Sequence, residues 1–372
     1  MSDSPILRTF SAESVTEGHP DKVADYIADS ILDAHLQGDP ESRVAVEVLC
    51  KSGQVVLAGE ISSRGQVDYD DTVRAAVREV GYTDPAEDFN ADGLQVVQML
   101  TRQSPEIAQA VDGESSASHE LGAGDQGIMV GYATVETPQL MPLPVLLAHG
   151  LSYGLAEDRK SGAVLWLRPD GKTQVSVRYE GDEPVAVTRI VVSTQYAEGT
   201  PRETLEWYVR DTLAPRVLGE WYVPDIELIV NPSGEFTLGG PSADSGLSGR
   251  KVIVDTYGPL ARHGGGSFSG KDPTKVDRSA AYFCRFVARQ MVRNGLARRA
   301  EVHVAYAIGR SDPVALAVET FGTGEAATAT EFVRSFDFRP AAIIERLGLR
   351  RPIYRRTTNY GHFGRPGLPW EE

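Results

Sequence analysis

Only two cysteines, Cys50 and Cys284, occur in the 372 residues, and they form no CxxC pair. That scarcity excludes a disulfide framework and a thiolate metal site, and both side chains are expected to be buried thiols in a reducing cytoplasm. Long uncharged apolar runs are also missing, so no segment reads as a bilayer span. The opening MSDSPILRTF lacks a basic stretch followed by an apolar one, so no secretory signal is expected. Basic residues are in deficit: 37 Lys and Arg stand against 52 Asp and Glu, a formal charge of −15. Such a charge repels phosphate backbones and argues against a nucleic-acid partner. One basic cluster, Arg339, Arg346, Arg350, Arg351, Arg355 and Arg356, reads as a solvated face or a set of intramolecular ion pairs. What is present, 41% hydrophobic residues over this length, is enough for a soluble globular protein of two or three structural units.

Val23, Ile27, Ile31 and Ala34 recur at helical spacing and predict an amphipathic helix over 21–35, with Pro20 at its first position. Two β-rich runs over 43–50 and 55–61 flank Ser52-Gly53 as a hairpin, and a helix over 70–80 ends at Gly81. Helix, hairpin and helix return over 146–160, a turn at Asp170-Gly171, and 203–217. They return again over 275–296, a turn at Asp312-Pro313, and 329–347. One hairpin with two helices cannot bury its apolar faces alone, so the expected fold is α+β, built from three similar helix/hairpin domains. The expected boundaries are 8–102, 122–238 and 239–372, with segments that can exchange between units. Residues 103–121 between the first two are small, polar and acidic. A connection of that length is usually a disordered linker or a mobile lid.

Several clusters could carry chemistry. A two-residue turn at Ser52-Gly53 sets Glu47 opposite Ala58 and Ala45 opposite Glu60, so both glutamates share a face as diagonal neighbours about 7–8 Å apart. With Leu49 and Val56 beside them, this pair favours a bound cation or ammonium group over a bare solvent face. Glu17-Gly18-His19-Pro20-Asp21-Lys22 puts an imidazole, a carboxylate and an amine at a helix start, which suits a phosphate with its magnesium; the alternative is an incidental cap. Gly265 to Lys271 has the GxxxxGK spacing of a phosphate loop, but Asp272 stands where the magnesium-binding Ser or Thr should be. An anion cradle remains, with Lys271 and Lys275 as ammonium groups and Asp272 and Asp277 as nearby metal ligands. Gly122-Ala123-Gly124-Asp125-Gln126-Gly127 suits close backbone approach to a ligand or a crowded turn.

Taken together, SVTEGHPDKVAD from Ser14, GAGDQG from Gly122, GGPSADSGLSGRKVIVDTYG from Gly239, GGGSFSGKDPTKVDRSAAY from Gly264 and YGHFGR from Tyr360 resemble bacterial methionine adenosyltransferases (S-adenosylmethionine synthetases) over nearly the whole chain. The resemblance implies three α+β domains about a pseudo-threefold axis, with sheets packed at the subunit interface. It implies a cytoplasmic homodimer or homotetramer, a dimer of dimers, with active sites shared between subunits. It implies ATP and L-methionine as substrates, two magnesium ions per active site and one potassium ion per subunit.

By the same resemblance, His19, Lys172, Arg250 and Lys271 are the expected catalytic residues. ATP would meet His19, Asp170, Lys172, Phe236, Asp244, Arg250, Lys251, Ala261 and Lys271. Methionine would meet Glu60, Gln103, Asp244 and Lys275. Asp21 and Asp277 would bind magnesium and Glu47 potassium, and 103–121 would be a lid. One departure from the family pattern is Gly234-Glu235-Phe236, where an arginine is usual in place of Glu235. A γ-phosphoryl-transferring kinase and a nucleotide-binding regulatory subunit without turnover are the competing readings. Asp272 speaks against the first, and the presence of His19, Asp21, Lys271 and Asp277 against the second.

Overall fold

A computed structural model describes residues 7–102 and 121–372. Gln103 and the expected lid, apart from Leu121, fall outside them. The first half of the chain forms β1 (Leu7–Val15), α1 (Pro20–Gly38), β2 (Arg43–Lys51), β3 (Gln54–Ser62), α2 (Tyr69–Val80), β4 (Gln95–Thr101), β5 (Gly127–Thr134) and α3 (Leu143–Lys160). Next come β6 (Leu167–Glu180), β7 (Glu183–Tyr196), α4 (Arg202–Tyr208), α5 (Ala214–Leu218), β8 (Glu227–Val230), α6 (Gly240–Ala243), β9 (Gly246–Leu247) and α7 (Val252–Asp255). The chain ends with α8 (Val276–Arg293), β10 (Arg299–Tyr306), β11 (Ala315–Glu319), α9 (Ala326–Arg334) and α10 (Pro340–Leu347).

The fold is α+β, with sheets ordered β4-β3-β2-β9, β1-β6-β7-β8 and β11-β10-β5. Strands are exchanged in a cycle: β1 from the first segment completes the second sheet, β5 from the middle segment the third, and β9 from the last segment the first. The first and third sheets share one core with α1 and α8, while Val175, Val177, Ile190 and Val192 of the second pack on Leu147, Leu151 and Leu155 of α3.

The first hairpin has the expected register, Ala45 with Glu60 and Glu47 with Ala58. Val44, Val46, Val48, Val55 and Leu57 are fully buried on its α1 side. A slip of one residue would bury Glu47 and Glu60 in their place, and each displaced valine or leucine would forfeit about 1.5–3 kcal/mol. The second hairpin corrects the sequence reading. Asp170-Gly171 lies inside β6, at a register shift between Leu167 and Gly171, and the turn is Gly181-Asp182 between the paired Glu180 and Glu183. Gly171 answers a close approach instead, because a Cβ there would meet the Ser193 carbonyl oxygen at 3.1 Å. In the third hairpin, Asp312-Pro313 lies in the loop beyond the Ala305–Ala315 pair.

Helix α1 is buried on its polar side as well as its apolar one, from Pro20 through Leu32. The first sheet covers one side, and later segments of the chain cover the rest. Both cysteines are buried free thiols, and burial pushes their pKa up. The arginine cluster divides as expected among intramolecular partners: Arg339 with Asp337, Arg350 with Glu41, Arg355 with Glu79, and Arg346 over the Phe286 ring.

Candidate active site

The start of α1 is wedged between two strands, and glycines make the wedge possible. A Cβ on Gly18 would lie 2.4 Å from Pro169 of β6, and one on Gly246 of β9 would lie 2.0 Å from the Pro20 carbonyl oxygen. His19 caps the helix, its Nδ1 accepting the Asp21 N–H at 3.1 Å. Burial, with Lys251 and Lys172 adding to it, lowers the His19 pKa to about 3. The imidazole is therefore neutral, and with Nδ1 accepting, its proton sits on Nε2, which leaves a neutral donor near the two lysines. An imidazole nitrogen spectrum is expected to show that tautomer unchanged from about pH 5 to 8; a titration near the ordinary histidine value would overturn it. The unfolded ring takes up a proton near 6.5 and the folded ring only near 3, so His19 withdraws stability as pH falls between those values.

Asp21 is the hub of this first group. Its Oδ1 accepts the Leu247 N–H at 3.0 Å and lies 3.6 Å from Arg250 Nε, while its Oδ2 is paired with the Lys251 ammonium. Burial alone would raise its pKa, but the Lys251 and Leu247 hydrogen bonds outweigh that and hold it low. Asp170 is buried and accepts the Gly240 N–H at 2.8 Å; burial pushes its pKa up to about 6, and Lys172 and Asp244 both act on it. Phe236 packs half-buried against the second core, and its carbonyl accepts the Tyr196 N–H at 3.0 Å. Glu235 beside it is exposed. The structure thus brings His19, Asp21, Asp170, Lys172, Asp244, Arg250 and Lys251 together.

A second group forms around α8. Lys271 Nζ is 2.7 Å from Asp277 Oδ2, and Lys275 Nζ is 2.5 Å from Asp272 Oδ2. Asp272 is not a free metal ligand as the sequence suggested. It is wholly buried and also accepts N–H groups of Val44 and Thr274. The Gly122–Gly127 hexapeptide runs alongside, since Cβ atoms on Gly124 and Gly127 would fall 3.3 Å from the Thr274 carbonyl oxygen and 3.2 Å from Asp277. Ala261 is half-buried against the same core.

The two groups stand apart on one chain. Leu247 pairs with Leu49 and Lys271 with Ala45, both along the same strand β2. Four residues of strand separate those anchors by about 13 Å, and no described hydrogen bond or ion pair joins the groups. Glu47, between the two anchors on β2, and Glu60, paired with Ala45, are exposed on the open face of the first sheet with Leu49, Met99 and Leu247, and Glu47 accepts the Ser248 hydroxyl.

Models of the S-adenosylmethionine synthetase N-terminal, central and C-terminal domains match residues 7–105, 120–236 and 238–372. The chain belongs to the S-adenosylmethionine synthetase family. It is 54% identical to an S-adenosylmethionine synthase of Thermus thermophilus over 380 aligned positions, covering 98% of this chain and 96% of that protein. It is 51% identical to one of Akkermansia muciniphila, covering 98% and 94%. The protein is thus an enzyme, a transferase that forms S-adenosylmethionine from ATP and methionine in a reaction needing a divalent metal. The kinase reading falls with that result.

Lys22, the amine that the helix start offered to a phosphate, is instead buried between Asp25 and Asp255. Sequence reasoning missed residues that hold the site. Gln195 accepts the Asp170 N–H and donates to the Thr237 carbonyl at 3.1 Å, and Tyr82 donates to the Gly18 carbonyl at 2.5 Å. Their partners lie far away in sequence, so no local pattern announces them.

Proposed function

We propose that the methionine sulfur attacks the 5′ carbon of ATP within a site built by two subunits, that the triphosphate leaves intact, and that it is hydrolysed to phosphate and diphosphate before release. The sulfur has no proton to lose. One S–C bond forms and the C–O bond to the triphosphate breaks, so alignment and anion stabilisation are the whole task, and alignment can be worth about 7–11 kcal/mol. His19 supplies its Nε2–H to the leaving oxygen, and Lys172, Arg250, Lys251 and Lys271 take up the charge of the phosphate chain. Asp170, Phe236, Asp244 and Ala261 line the nucleotide, while Glu60, Gln103, Asp244 and Lys275 hold methionine.

The observation that carries this reading is a repeated pairing. Each candidate magnesium ligand already holds a candidate phosphate-binding lysine, Asp21 with Lys251 and Asp277 with Lys271. Among the described residues no three acidic or histidine side chains gather as a complete metal shell. That donor set fits magnesium, which takes one or two carboxylates and fills its remaining positions with phosphate oxygens and water. Two such ions per site, held by Asp21 and Asp277, would neutralise charge on the triphosphate. For the single potassium ion of each subunit we infer Glu47, whose neighbour Ser248 adds a hydroxyl.

The separation of the two groups, with the exposed apolar residues Leu49, Met99 and Leu247 on the first sheet and Ile128 on the third, supports a homodimer or dimer of dimers whose sheets pack at the interface. The cyclic exchange of strands supports a pseudo-threefold arrangement. No helix among the described residues is long and apolar enough to cross a membrane, and a cytoplasmic location is part of the proposal. The test is product analysis. ATP and methionine with magnesium should yield the sulfonium, phosphate and diphosphate from the purified protein alone, faster with potassium than without. Release of intact triphosphate as the main product would remove the hydrolytic step, and no sulfonium at all would remove the reading.

A further inference from the structure

Helix α1 carries Asp21, Asp25, Asp29 and Asp33, one per turn, and each carboxylate accepts backbone N–H groups from a later stretch of chain. Asp21 takes Leu247, Asp25 takes Gly249, Asp29 takes Gly270, and Asp33 takes both Tyr354 and Arg355. The third of these lies at the loop that carries Lys271. Asp29 accepts the Gly270 N–H at 2.9 Å and both terminal nitrogens of Arg278, at 2.7 and 2.6 Å. The same guanidinium donates to the Lys271 carbonyl at 3.2 Å and to the Tyr282 hydroxyl at 3.0 Å, with the Tyr354 ring 4.2 Å beneath it. Asp29 and Arg278 therefore grip the backbone on both sides of Lys271. Asp277, one position before Arg278 on α8, holds the ammonium end of that lysine. Neither Asp29 nor Arg278 has any exposed side-chain surface, so neither can touch a substrate.

A buried ion pair is poor evidence of added stability, because desolvation opposes its attraction and an apolar pair of similar volume often serves as well. Its forked geometry does what an apolar pair cannot: it fixes two backbone groups at once. We infer that Asp29 and Arg278 are positioning residues for Lys271, acting on turnover through that lysine alone. The inference rests on the phosphate-binding role given to Lys271 under the proposed function, and the experiment separates the two.

Arg278→Lys keeps the charge and loses the fork. Its turnover number is expected to fall about tenfold with the Michaelis constant for methionine unchanged, while Asp29→Asn, which keeps one acceptor for Gly270, falls in parallel. Each substitution is then repeated in a Lys271→Met background, where the loss should vanish, because a residue acting through Lys271 has nothing left to position. A loss that persists in full in that background overturns the inference, as does unchanged turnover in both single variants. Should both fail to fold, the pair is structural only and the inference is likewise overturned. If Lys271→Met itself turns over like the wild type, the role of Lys271 is what fails.

Discussion

Co-expression of Lys172→Met and Lys271→Met, each left with only a small residual turnover alone, is expected to restore about a quarter of wild-type turnover. Lys172 belongs to the group around His19 and Asp21, and Lys271 to the group around α8. The two groups are anchored to β2 about 13 Å apart. If a twofold dimer joins the first group of one subunit to the second group of its partner, a mixed dimer has one site with both defects and one with neither. Random pairing makes about half the dimers mixed, and each keeps about half its activity. Differently tagged subunits allow the mixed dimer to be isolated, and its specific activity should then be about half that of the wild type. Activity no higher than either variant alone would place both groups in one subunit's site and remove the shared-site reading. Complementation is informative because a single-chain site cannot produce it, whatever the severity of each substitution.

The parts of the site that could be read from sequence are those with a local physical signature. Period-two alternation fixed the face of Glu47 and Glu60, because a slip of one residue would bury them. The Gly122–Gly127 hexapeptide announced a close approach or a crowded turn, and Gly124 and Gly127 prove to sit against the Thr274 carbonyl and Asp277. Asp170-Gly171 misled for the same reason. A glycine beside an aspartate suits a turn, yet here it admits the Ser193 carbonyl within a continuous strand. Strand exchange was unreadable in detail, since nothing in the two residues of β9 specifies which distant hairpin they join. The four aspartates of α1 were visible as a spacing, but their partners lie more than 220 positions away for Asp21, Asp25, Asp29 and Asp33 alike. Apolar periodicity correctly called the helix and could not show that its charged side is buried too.

Asp21→Asn is expected to lower turnover by about a hundredfold or more, the size seen when one preorganised electrostatic contact to developing charge is removed. Asparagine keeps the geometry and loses the charge. It has the shape of aspartate and can still accept the Leu247 N–H, so the α1–β9 junction should persist and the melting temperature should move by a few degrees at most, about 1 kcal/mol for a chain of this size. It lacks the charge that holds Lys251 and Arg250 and that would bind a hard cation. The bland alternative gives Asp21 only the job of complementing the helix dipole, worth about 0.3–1 kcal/mol, and then turnover should change by less than about fivefold. Magnesium titrations decide between them. In the wild type the cation must compete with Lys251 for the Asp21 carboxylate, so calorimetry should show magnesium binding weakly alone and more tightly with tripolyphosphate, which gives the displaced lysine a new partner. Lys251→Met should strengthen magnesium binding in the absence of phosphate and weaken tripolyphosphate binding in its presence. Asp21→Asn should lose the coupling altogether. Turnover of Asp21→Asn within fivefold of wild type at limiting magnesium, or coupling that survives in it, would show that Asp21 is a structural residue and that the first magnesium lies elsewhere.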